Sequence, residues 1–133
     1  MANPLLLDIV TFLTTSGVVT GDGTDAFRDF TPEEPDTAIV LIEYQGDPAL
    51  PYDEGVHRSV QVISRAKDAD TARQRAVLVY KTLKAAQSSD GKISFTSTRW
   101  GQVYFRQTPF FFKRDGNNRT SYAFNLGITT TIE

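Results

Sequence analysis

The C-terminal third restricts what this chain can fold into more than any other stretch. Two aromatic, strand-like runs, Phe110-Phe111-Phe112-Lys113-Arg114 and Thr120-Ser121-Tyr122-Ala123-Phe124-Asn125-Leu126-Gly127-Ile128, flank Asp115-Gly116-Asn117-Asn118-Arg119. Gly and Asn tolerate positive φ, so this spacer can reverse the chain between antiparallel strands. Upstream, Ile93–Thr98 and Val103–Gln107 also read as strands. Pro109 cannot donate to a ladder, so it predicts an edge, a bend or a bulge.

The N-terminal two-thirds alternates helix and strand signals. Asn3-Pro4 reads as an N-cap followed by proline at the first helical position. Leu5, Leu6, Ile9, Val10, Phe12 and Leu13 then recur at spacings of three and four, and Gly17 is a natural stop. Residues 17–36 form a mostly irregular link, with Ala26–Phe30 as a short edge strand. Ala38–Tyr44 is apolar on both faces for most of its length and predicts a central strand covered on both sides. The segment Gln45–Gly55, with its prolines and glycines, predicts a hairpin arm or a loop. Arg58–Arg65 should pair antiparallel with 38–44. Asp68 or Asp70 caps a second helix whose inner face is Ala72, Ala76, Val79, Tyr80 and Leu83, and Ser88–Gly91 ends it. The expected architecture is α+β: one domain over residues 1–133, a mostly antiparallel sheet packed with two helices.

Composition removes several chemistries. The chain has 133 residues, which suits one domain with one core. It has no cysteine, so disulfides, thiolate catalysis and cysteine-based metal sites are excluded. His57 is the single histidine and is expected as an exposed residue beside the Pro/Gly-rich loop rather than as a base. Asp22, Asp25, Asp29, Glu33 and Glu34 lack calcium-loop spacing and read as a solvated acidic loop. Gly21-Asp22-Gly23 reads as a turn, without the spacing of a phosphate-cradling loop. No catalytic residues, cofactor or metal are therefore expected. No apolar run approaches the length of a membrane span. Asp8 interrupts the first apolar run and no positive charge precedes it, so no secretory leader is expected.

A nucleic-acid reading rests on Tyr104, Phe105, Phe110–Phe112, Tyr122 and Phe124 interleaved with Arg99, Arg106, Lys113, Arg114 and Arg119. A net charge of -2 weighs against it. Alternation should also turn half of those rings into the core. Phe110–Phe112 still places a ring on each face, and an outward ring must be covered by a loop, a helix or another chain.

The chain resembles a phage family through Val60-Gln61-Val62-Ile63-Ser64-Arg65, the acidic linker with Asp68 and Asp70, and the helix face Ala72, Ala76, Val79, Tyr80 and Leu83. Gln107-Thr108-Pro109-Phe110 and the Arg119, Tyr122, Asn125 spacing extend the likeness over roughly residues 4–132. It is similar to the minor capsid or tail completion proteins of long-tailed bacteriophages, which are related in fold to the tail terminators. The resemblance implies a structural virion protein at the head–tail junction, not an enzyme. It implies a homo-oligomer, normally a hexameric ring, that caps the tail tube, stops tube polymerisation and docks the head-completion or neck protein. Another neck-ring role is the alternative. No membrane and no specific nucleic acid is implied, although DNA passes through such a ring. Interface candidates are Tyr52, Asp53 and Glu54 in the loop, Arg65 and Lys67 before the second helix, and Arg114 and Arg119 near the last turn.

Overall fold

The computed structural model describes residues 3–44 and 55–131. The elements run α1 (Leu5–Thr15), β1 (Ala26–Arg28), β2 (Ala38–Tyr44), β3 (Gly55–Ala66), α2 (Ala69–Ala86), β4 (Lys92–Ser94), β5 (Trp100–Phe105), β6 (Phe110–Arg114) and β7 (Thr120–Thr131). The strand order is β1-β2-β3-β7-β5-β4, with β6 also paired to β7. Only β1 and β2 run parallel, so the sheet is mostly antiparallel and the fold is α+β.

The long strands β3 and β7 form the spine, in register from Gly55↔Thr131 to Ala66↔Thr120. The far edge of β7 is shared. β5 takes Leu126–Thr130 and β6 takes Thr120–Ala123. Between them the chain leaves the ladder at Arg106–Pro109, but two bonds hold the detour: Arg106 N–H donates to the Asn125 carbonyl, and Asn125 N–H donates to Gln107 Oε1. Pro109 thus sits at a bend, and β6 carries a bulge between Phe111 and Lys113.

Strand alternation sorts the side chains into two clusters. One face carries Ile39, Leu41, Val60, Val62, Phe124, Leu126 and Ile128, packed against Leu5, Ile9, Leu13, Val79 and Leu83 of the two helices. Tyr80 reaches the same core edge-on to Phe124, with ring centroids 5.5 Å apart. The other face has no helix. Its apolar row, Val40, Ile63 and Ala123 with Phe110 beside them, crosses β2, β3, β7 and β6.

Several sequence expectations needed adjustment. Pro4, not Asn3, occupies the N-cap of α1, and no side chain caps that end. Asn3 instead bonds the Asp8 carboxylate at 3.4 Å. Asp68 is the cap of α2, accepting from Thr71 N–H at 3.2 Å. The predicted 93–98 strand stops at Ser94, because Thr96–Arg99 closes a turn in which Arg99 N–H returns to Thr96. β3 begins upstream of 58, placing His57 inside a strand rather than in a loop. It is half-buried, with Nδ1 2.7 Å from Thr129 Oγ1. Gly17 ends α1 as expected, at φ 80 with Val18 N–H returning to the Leu13 carbonyl. The aromatic rings of the C-terminal third divide between core and surface: Phe124 is fully buried and Phe105 and Phe110 pack against the core clusters, whereas Tyr104, Phe111 and Phe112 are exposed.

Candidate assembly surfaces

The parallel β1–β2 pair dictates a crossover. Residues 29–37 must return along the helix-free face to start β2 beside β1. Pro32 and Pro35 cannot donate hydrogen bonds, so the crossover offers mainly carbonyl acceptors. Two arginines from the sheet satisfy them. Arg65, 3% exposed, donates from Nη1 to the Pro32 carbonyl at 2.6 Å, from Nη2 to Pro35 at 2.5 Å and from Nε to Asp36 at 3.3 Å. Arg119 donates to the Glu33 carbonyl and, at 2.7 Å, to Asp115 Oδ2. Burial, and then the neighbouring Arg119 charge, hold the Arg65 guanidinium below its ordinary pKa. It stays charged at any working pH, and Asp36 and Asp115 lie close enough to offset both cations.

The sequence-derived interface set therefore divides. Arg65 and Arg119 lie beneath the surface, because the proline-rich crossover needs their planar donor forks. Lys67 stands exposed, 3.6 Å from Asp36. Arg114 is exposed and donates to Asn118 Oδ1 at 3.4 Å. Tyr52, Asp53 and Glu54 lie outside the described residues. Sequence reading could not sort the arginines by burial, since the crossover that engages two of them appears only when β1 pairs with β2.

Asp115 anchors the last turn. Its carboxylate is held below the usual range first by the Arg119 backbone N–H, against the opposing effect of desolvation, with the Arg119 guanidinium and the Asn117 N–H adding to the lowering. A depressed native pKa gives stability that is present above the unfolded value and is lost as pH falls through the native value. The loss therefore begins below about pH 4. Chemical denaturation between pH 5 and 2 should show a steeper acid decline for the wild type than for Asp115→Asn. Superimposable curves would refute the assignment.

A second surface is a platform on β5, whose Tyr104 and Arg106 entered the sequence reading only through the nucleic-acid alternative. Tyr104 is paired with Gly127 on β7, and its ring lies flat over that glycine. A Cβ on Gly127 would fall 2.1 Å from Tyr104 Cζ. Arg106 stacks on the ring at 5.2 Å from its centroid and bonds Ser59 Oγ at 3.2 Å. The sequence signal for the stacking itself is a glycine inside a strand, which marks close approach of another group. Gly127→Ala should expel the exposed ring while changing stability by less than about 1 kcal/mol. Loss of the upfield ring-current shifts around Gly127 in NMR spectra would report it, and unchanged shifts would contradict the stacking.

The acidic loop is also organised. Asp25 accepts from Thr20 N–H and Gly21 N–H, and Asp22 pairs with Arg28 at 3.0 Å. A recess of about 370 Å³ opens there, lined by Asp22, Gly23, Phe27, Arg28, Asp29 and Phe30. Among the described residues no cluster of His, Cys, Asp or Glu is arranged to hold a metal ion. No helix among them is long and apolar enough to cross a membrane.

Taken together, these features define an α+β protein that presents shaped, partly aromatic contact surfaces around one curled sheet. Residues 13–132 match the family described as bacteriophage tail terminator protein, and the chain belongs to that family. It is thus a structural component of the phage tail. A comparison with curated proteins finds no match.

Proposed function

We infer that copies of this chain form a ring, hexameric as is usual for such proteins, that caps the finished tail tube. One side of the ring stops addition of tail tube protein, and the other receives the head-completion or neck protein. DNA passes through the lumen without sequence-specific contact. The observation that carries this reading is the family match, which spans nearly the whole chain. Exposed Tyr104, Phe111 and Phe112 favour it as well, because large outward rings on a small protein call for a covering partner. Lys67 and Arg114, both exposed, are the contact residues supplied by the described part of the chain. Arg65 and Arg119 contribute indirectly, by holding the crossover in shape.

The test is electron microscopy of lysates from a phage with a stop codon at Lys67. Filled heads beside separate, overlong tails are expected. Normal particles would remove the protein from the junction. Overlong tails still joined to heads would leave termination in place and transfer head docking to another component.

A further inference from the structure

The two edges of the sheet carry opposite charge. Residues 20–30, around β1, hold Asp22, Asp25 and Asp29 against one cation, Arg28, whereas Glu33 and Glu34 lie across the helix-free face beside Asn117 and Arg119. Residues 104–114, along β5 and β6, hold Arg106, Lys113 and Arg114 and no acidic residue. β2, β3 and β7 lie between these edges. At about 4.8 Å per step, the edges are roughly 19 Å apart along the sheet. Each also exposes a phenylalanine: Phe30 is 58% and Phe111 57% exposed. Lys113, which lines a cavity with Glu33, is exposed as Arg106 and Arg114 are, so all three cations reach the surface.

The acidic edge is formed as a receptor rather than as a random cluster. Phe27 and Phe30 meet edge-on with centroids 5.9 Å apart, and together with Asp22, Arg28 and Asp29 they line the recess; Arg28 pairs with Asp22, so Asp29 is the carboxylate that an incoming cation would meet. Asp29 is held at φ 70, an uncommon backbone state for a residue other than glycine. Its N–H is fixed to the Leu41 carbonyl at 2.9 Å. A guanidinium suits such a recess, since it stacks on an aromatic face while pairing with carboxylate. The opposite edge offers one already stacked and oriented on Tyr104.

We propose that a second copy of this chain is the partner at both edges: the Asp29–Phe30 edge of one copy receives the Arg106–Phe111–Arg114 edge of the next. The two patches differ, so the contact is heterologous and repeats head to tail, closing a ring when the rotation allows. This rests on the ring reading above and adds to it the two surfaces that join. Both edges are poor templates for strand-to-strand pairing: β1 is short, and β6 is bulged and ends in cations. Side chains, not backbone ladders, make the joint.

The absence of native cysteine makes a clean test possible. Phe30→Cys and Phe111→Cys, together and singly, are treated with a short bis-maleimide, both as free protein and in purified tails. Light scattering of the free protein and gels of the tails are read in parallel. The double variant should give a ladder of crosslinked species beyond the dimer, and each single variant none. Mixing Asp29→Arg protein with Arg106→Asp protein should restore an assembly that each alone has lost at least tenfold. Dimers from a single-cysteine variant would mean a self-complementary contact and overturn the proposal. Crosslinks only to a different tail protein would overturn it too. An oligomer that forms without the ladder would discard these surfaces and keep the ring. A chain that remains single in tails would discard both.

Discussion

Asp8→Ala is expected to cost about 3–5 kcal/mol, because it removes one partner of a buried ion pair. Arg99 Nε lies 3.1 Å from Asp8 Oδ2, with the two side chains only 3% and 6% exposed. The remaining donors are already committed: Nη2 to the Asn3 carbonyl at 2.7 Å and Nη1 to Thr130 Oγ1 at 3.4 Å. One ion pair thus ties α1, the turn before β5 and the end of β7. Removing the carboxylate takes one partner from a buried, hydrogen-bonded ion pair. For a domain of this size, the loss corresponds to a fall in Tm of about 10 °C or more. Asp8→Ala/Arg99→Met should recover much of the loss, since an apolar replacement of both partners avoids the uncompensated charge. A fall of less than about 1 kcal/mol for Asp8→Ala would show that the pair is not the anchor described.

Arg65→Ala should be the second large effect, and it should be local as well as global. Three carbonyls of the crossover lose their donor at once. Each unsatisfied buried acceptor costs about 1–3 kcal/mol, but the crossover can relieve part of this by swinging into water. The expected result is a loss of about 2–3 kcal/mol together with faster hydrogen exchange and proteolysis within residues 29–37. Arg65→Lys should rescue little, because an ammonium cannot span carbonyls that a planar fork reaches. If exchange in the crossover is unchanged in Arg65→Ala, the clamp is not what holds it. The variant also bears on assembly. The crossover begins at Asp29 and Phe30, so its release should weaken the acidic edge without altering any edge residue.

Periodicity carried the reading of the helices. The apolar spacing of Leu5, Ile9 and Leu13, and of Ala72, Ala76, Val79 and Leu83, predicts both buried faces, and these residues do pack on the sheet. A helix face recurs within a few residues, so local pattern contains it. The same holds for Ala38–Tyr44 and its antiparallel partner around residues 58–65. Strand ends were less legible. Ser94 ends β4 early because a turn at Thr96–Arg99 satisfies its own backbone, which apolar alternation does not register.

Alternation divided the aromatics between core and surface, but not ring by ring. Alternation says that Phe110, Phe111 and Phe112 cannot all face inward. It does not say that β6 would lie outside β7, beyond the reach of either helix, with a bulge that turns Phe112 out as well. Arg65 and Arg119 show the converse. Both looked like surface charge. They became internal because the β1–β2 crossover brings proline carbonyls over them, from positions about thirty and eighty residues away along the chain.

The sequence by itself determined which segments are helix and strand, which faces are apolar, the absence of thiol chemistry and the family resemblance. These follow from residue type and short-range spacing. Tertiary structure decided which charges are buried, where Tyr104 rests and how acidic and basic edges come to stand on opposite sides of one sheet. These depend on pairings between distant residues, such as Val40↔Ile63 and Tyr104↔Gly127, whose register no local pattern encodes.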